Sequence, residues 1–150
     1  MKKMMIGISL FFIVLAIAGN AQKQPASNNL KATIARGQEV YLFQCLACHQ
    51  VDGGGVPHLN APLDGSTKVK GTDKNRLIRI VLNGMSGVEL DGETYSNSMA
   101  PHKELTDRQI ADVLTYVRNS WSNKAASVTV TEVKAVRANH NKGSLIPRIR

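Results

Sequence analysis

The segment Glu39-Val40-Tyr41-Leu42-Phe43-Gln44-Cys45-Leu46-Ala47-Cys48-His49 decides how this chain is read. Its last five residues are Cys-x-x-Cys-His. Thiols three positions apart share one face of a helical turn, and an imidazole follows directly. At that spacing each thiol can add to a vinyl group of the same porphyrin while the imidazole reaches the iron from one side, which is the logic of covalent c-type haem attachment. Other uses of the motif fit less well. A thioredoxin-type redox pair needs a preceding strand in a βαβ setting, and residues before Cys45 read as helix. A zinc site needs a second Cys or His pair, and the chain has two cysteines in all. A plain disulfide leaves His49 without a role.

Upstream, Leu30, Ile34, Val40 and Tyr41 mark a helical stretch interrupted by Gly37, a residue that weakens a helix unless another backbone packs close to it. Downstream, residues 50–72 are rich in glycine, carry Pro57 and Pro62, and lack periodicity, which predicts a long loop with a task or something packed inside it. A second helix is expected over 73–83, closed by Gly84. Val88 to Tyr95 reads as a small hairpin turning at Asp91-Gly92. Thr106-Asp-Arg-Gln109 is a capping box with Leu105 and Ile110 as its hydrophobic staple. Ile110, Val113, Leu114, Val117 and Trp121 then trace one buried helix face. The same device recurs at Thr129 to Glu132, with Val128 and Val133 as the staple and Val136 on the helix that follows.

A haem iron held by His49 leaves a sixth position. A Met thioether raises the reduction potential and suits electron transfer, a second His lowers it, and an open site suits gas or peroxide chemistry. Two methionines lie beyond the motif, Met85 and Met99. Met99 sits in the loop Tyr95-Ser-Asn-Ser-Met-Ala-Pro101, which can swing over the far haem face, and is the expected ligand. Met85 follows Gly84 at a helix end and reads as packing, since Met is more often a gap-filler than a ligand. His102 is the alternative ligand nearby; His58 and His140 read as loop and tail residues.

These pieces stand in an order that resembles a class I c-type cytochrome over residues 32–139. The matching stretches are Gly37-x-x-Val40-Tyr41 before Cys45-x-x-Cys48-His49, Gly53-Gly-Gly-Val-Pro57, Pro62-Leu63, Arg76 to Gly84, Gly84-Met-Ser-Gly87, Met99 near a proline, Leu105-Thr-Asp, Ile110 to Trp121, and Thr129 to Arg137. The chain is most similar to single-haem cytochromes and cytochrome domains that serve periplasmic dehydrogenases and reductases. The resemblance implies an all-α cytochrome c fold of four or five helices around one covalent haem, with a small hairpin before the Met loop. It implies that the first helix crosses the penultimate one at Gly37, with Tyr116 against the crossing. It also implies a main-chain carbonyl before Leu63 that accepts the proton of the ligand histidine. Two departures stand out. Ala100 separates Met99 from Pro101, where family members commonly have Met followed directly by Pro. Ala61-Pro62 replaces a pair of prolines, and the bond to His49 Nδ1 is expected to persist because a backbone carbonyl survives a side-chain change.

Residues 1–21 combine Lys2 and Lys3 with about a dozen apolar residues and Gly19-Asn20-Ala21, the pattern of a secretory signal peptide. The apolar run is short for a membrane span. The expected organisation is therefore signal peptide 1–21, polar leader 22–29, cytochrome c domain 30–139 and basic tail 140–150, in a protein exported to the periplasm. The formal charge of +8 then shrinks, because residues 22–139 hold 14 basic against 11 acidic side chains. Aromatics are few, at 5% with one Trp, so no nucleic-acid platform is expected, and a haem would complete an otherwise thin core. The expected function is electron carriage, not catalysis, with Cys45 and Cys48 tethering one haem c and His49 and Met99 holding its iron. The expected partners are a redox donor and acceptor met by transient contact, with a membrane involved only through a partner complex or an uncleaved signal. The alternative is a dedicated cytochrome subunit of a dehydrogenase, terminal oxidase or reductase. Lys68, Lys70, Lys74 and Lys103 are candidates to border the haem crevice and steer an acidic partner.

Overall fold

A computed structural model describes residues 26–141. The signal peptide expected over 1–21 and most of the expected tail lie outside that range. The elements are α1 (Ala26–Gln44), α2 (Leu46–His49), α3 (Thr67–Lys70), α4 (Lys74–Asn83), β1 (Glu89–Leu90), β2 (Glu93–Thr94), α5 (Asp107–Val117) and α6 (Val130–Asn141). Residues 26–29, read from sequence as leader, form the first turn of α1, and α6 runs to the second residue of the expected tail. The hairpin turns at Asp91-Gly92, with Glu89 paired to Thr94 and Leu90 to Glu93. The mainly helical fold with one small hairpin is the expected one; α2 and α3 are added single turns. No described helix is long and apolar enough to cross a membrane.

The crossing of α1 on α5 organises the rest. A Cβ built on Gly37 would overlap the carbonyl oxygen of Asp112 and stand 2.7 Å from Tyr116 Cβ. The two backbones therefore touch directly, and only glycine permits it. Asp112, with 5% of its side chain exposed, is neutralised from α1: Arg36 Nε and Nη2 donate to its two carboxylate oxygens at 2.6 and 3.0 Å. This fork-to-carboxylate geometry is the strong form of the ion pair, and Asp112 pushes the Arg36 guanidinium still higher in pKa.

Both predicted capping boxes form. Thr106 Oγ1 accepts from Gln109 N while Gln109 Oε1 accepts from Thr106 N; Thr129 and Glu132 repeat the exchange on α6. Asp73 caps α4 through Arg76 N, and Gly84 ends it. The single buried face expected for α5 is too small. Every residue from Ile110 to Val117 is buried, because α5 feeds two cores. Ile110 and Leu114 join Ile78, Leu82, Val128 and Val133 between α4 and α6. Val113, Tyr116 and Val117 join Tyr41 and Val69 beneath α1. Trp121, placed by periodicity on the same helix, lies beyond its end with φ of 54°.

The residues after α5 tie down the long loop instead. Trp121 Nε1 donates to Val51 O at 3.0 Å, and its ring lies against Gly53. Ser122 donates to Asp64. Asn123, 1% exposed, donates to Leu63 O and accepts from Gly65 N. Arg118, also buried, donates to the carbonyls of Val69, Gly71 and Ala126, and burial lowers its pKa. From the hairpin turn, Asp91 accepts from Thr67 N and from the hydroxyls of Ser66 and Thr67, which holds its carboxyl below its ordinary pKa. Gly37→Ala is expected to cost about 3 kcal/mol or more in denaturant unfolding, the range for overpacking against a neighbour that cannot yield, because the obstacle is Asp112 backbone.

Candidate haem site

The end of α1 and all of α2 deliver the Cys-x-x-Cys-His motif to one wall of a cavity lined by Cys45, Cys48 and His49. Cys45 N bonds to Tyr41 O at 2.9 Å and His49 N to Cys45 O at 2.9 Å, so the helix hardly breaks through the motif. Both cysteines are free thiols, and burial pushes the Cys45 thiol up to about 11. His49 Nδ1 donates to Ala61 O at 2.9 Å, the bond expected despite the missing proline. That bond fixes the tautomer and leaves Nε2 as the free nitrogen. Burial lowers the His49 pKa, which favours the neutral imidazole a metal requires. The 53–64 loop is folded back to do this: Gly55 N bonds to His49 O at 3.1 Å, and Leu63 N and Asp64 N both bond to Gly53 O.

The Met99 segment supplies more of the lining. Met99 reaches the cavity as expected, and so does Met85, whose place in the sequence suggests mere packing. The two form an isolated antiparallel bridge, Met85 N to Met99 O at 3.1 Å and Met99 N to Met85 O at 2.8 Å. Residues directly opposite in such a pair send their side chains to the same face. Gly84, at φ 73°, makes the approach possible: a Cβ there would overlap the Met99 carbonyl oxygen and stand 3.1 Å from Ala100 C. The interposed Ala100 therefore leaves Met99 fastened to the end of α4. His102 also lines the cavity, with Nδ1 3.3 Å from Glu104 Oε1 and its backbone N bonded to Val81 O. His58 is an exposed loop residue, 3.8 Å from Glu93, and the His140 side chain lies outside the described residues. The hairpin closes the cavity with Val88, Leu90 and Tyr95.

None of Lys68, Lys70, Lys74 and Lys103 lines this cavity. Lys74 is held by Glu132 and donates to Ser127 O. Large apolar side chains stand exposed around the motif instead: Leu42, Phe43 (87%), Val51 and Leu59.

The residues present fit a covalently bound haem. Two free thiols one turn apart, a neutral imidazole with one nitrogen committed, and two thioethers on one face share an apolar-lined cavity. Imidazole and thioether are the donors of electron-transfer haem. Among the described residues, no group of three or more His, Cys, Asp or Glu converges as a separate metal centre. Gly84→Ala is expected to push the Met99 strand off α4 and destabilise the protein by about 2 kcal/mol, from strain at positive φ plus the overlap, read by denaturant unfolding of the holoprotein.

Comparison with known proteins agrees with the site. The Cytochrome c family profile matches residues 34–121. Cytochrome c-552 of Thermus thermophilus is 33% identical over 113 residues, spanning 69% of this chain and 86% of that protein. The cytochrome c subunit of the quinone alcohol dehydrogenase of Gluconacetobacter polyoxogenes is 32% identical over 127 residues, 79% of this chain but 27% of the subunit. The gluconate 2-dehydrogenase cytochrome c subunit of Pantoea cypripedii is 36% identical over 107 residues, 67% of this chain and 24% of that subunit. The chain thus spans about a quarter of the length of these dehydrogenase subunits. Motif, fold and relatives converge: the chain belongs to the cytochrome c family, electron-transfer proteins with covalently bound haem c, and is a class I c-type cytochrome.

Proposed function

We propose that this protein carries single electrons between redox partners and is not itself an enzyme. The observation that supports this most directly is the convergence of Cys45, Cys48, His49 and Met99 on one cavity. Bound there, haem c supplies one-electron chemistry between ferrous and ferric iron. The Cys45 and Cys48 thiols would tether it through its two vinyl groups. His49 Nε2, with its ring oriented by Ala61 O, and the Met99 thioether would be the residues that hold the iron. A thioether in this position favours the reduced state. The backbone bonds on either side of both ligands keep them in place when the charge changes, so little must reorganise during transfer.

Residues 1–21 serve as a cleaved signal peptide and place the protein in the periplasm; residues 30–139 act as the cytochrome domain, with 140–150 as a basic tail. Partners dock transiently beside the motif, through a small contact, where Leu42, Phe43, Val51 and Leu59 are exposed.

The ligand assignment is checked in the ferric absorption spectrum. The wild type should show the weak far-red band of iron–thioether ligation. Met99→Ala should abolish it and let the ferrous protein bind carbon monoxide, whereas Met85→Ala should retain it. A wild type without the band that binds carbon monoxide readily is a sensor or peroxidase-like protein, not a carrier.

A second reading draws support from the dehydrogenase cytochrome subunits among the relatives: a dedicated subunit of an oxidoreductase. Gel filtration of periplasmic extract, followed at the Soret band, separates the two. A free carrier elutes near the size of the chain, and a subunit co-elutes with a much larger dehydrogenase.

A further inference from the structure

Two loops meet at the cavity from different parts of the chain. One, residues 56–61, is closed on itself by the Val56–Asn60 bridge and ends in Ala61, whose carbonyl orients His49. The other, residues 95–99, ends in Met99. Three hydrogen bonds join them. Ser96 N donates to His58 O and Asn97 N to Leu59 O, both at 3.0 Å, and Asn97 Nδ2 donates to Asn60 Oδ1 at 3.0 Å. Asn60 and Asn97 both line the cavity. A contact between His58 and Glu93 at 3.8 Å adds a weaker link, exposed on both sides and therefore worth little.

We infer that the Asn60–Asn97 pair is a clasp that positions Met99, coupling the loop that carries it to the loop that orients His49. The inference rests on the reading of His49 and Met99 as the iron ligands. Met99 is the residue between two fastenings. On its own backbone it is bonded to Met85, and two positions earlier Asn97 is bonded across to Leu59 and Asn60. Any displacement of the thioether that moves the backbone must lift this segment, and lifting it strains both fastenings. Among the hydrogen bonds of the described residues, the Asn97 amide is the side chain of 95–99 that reaches the His49 loop, so removing it weakens one side of the hold while the backbone bonds stay. Asn60 and Asn97 are positioning residues: neither needs to touch the iron.

The test uses the ferric holoprotein and imidazole as the competing ligand. Asn97→Leu should bind imidazole about fivefold more tightly than the wild type, the scale of one lost hydrogen bond. Asn60→Leu should do the same. The double variant should be no looser than either single variant, because both remove one shared bond. The midpoint of global unfolding in denaturant should barely move, which separates positioning of Met99 from general support of the fold. Imidazole affinities equal to the wild type, or two effects that simply multiply, overturn the clasp. A wild type lacking the far-red thioether band would instead overturn the ligand assignment beneath it, so the two failures are told apart. If one variant fails to fold, the other still decides the direction.

Discussion

The contact on which the rest depends is backbone against backbone, Gly37 on Asp112. It sets how closely α1 can lie on α5, and the cysteine motif follows directly on the end of α1. A side chain at that crossing would shift the haem motif relative to the loop that orients His49, because that loop is fastened to the residues just after α5. The Arg36–Asp112 pair serves the same contact from another direction. A carboxylate at a close crossing is costly unless its charge is met, and Arg36 meets it with two bonds.

Much of this is legible in the chain because it is local. Capping boxes at Thr106 and Thr129, the glycine stop at Gly84 and the Asp91-Gly92 turn each follow from a few neighbouring residues, and all four form. The motif itself is local too, which is why Cys45, Cys48 and His49 can be named from five consecutive residues. Even the crossing glycine leaves a trace, as a helix-breaking residue with no local excuse. Met99 is reached through the resemblance and the character of its loop, and the fold brings it to the same cavity as the motif.

What the sequence does not reveal is long-range. Met85 reads as an ordinary helix-end methionine, and only its pairing with Met99 across the chain shows that the two share a face. Trp121 continues the apolar spacing of α5, yet the helix stops at Val117, and the ring turns to cover Gly53. Periodicity sees the interval and not the chain's change of direction. The burial of α5 on all sides escapes for a related reason: a pattern can mark one apolar stripe, but Asp112 and Thr115 look exposed until their partners Arg36 and Val128 are known. The loop 50–72 has no periodicity because its order is imposed from outside, by Arg118, Trp121, Ser122 and Asn123. The lysines named from their loops do not line the cavity itself, since position along a loop does not say which way a side chain faces.

That outside fastening bears on the order in which the protein is made. The bonds that tie down the surroundings of the motif span most of the domain: Arg36 to Asp112 is 76 residues apart, Trp121 to Val51 is 70, and Asn123 to Leu63 is 60. A chain synthesised from its amino terminus presents Cys45, Cys48 and His49 long before the segment that anchors their surroundings exists. During that interval the motif lacks those surroundings, and closing such large loops is the slow part of folding. The architecture thus leaves the motif's surroundings unanchored until the last third of the chain arrives, while Cys48 stays exposed even in the folded domain.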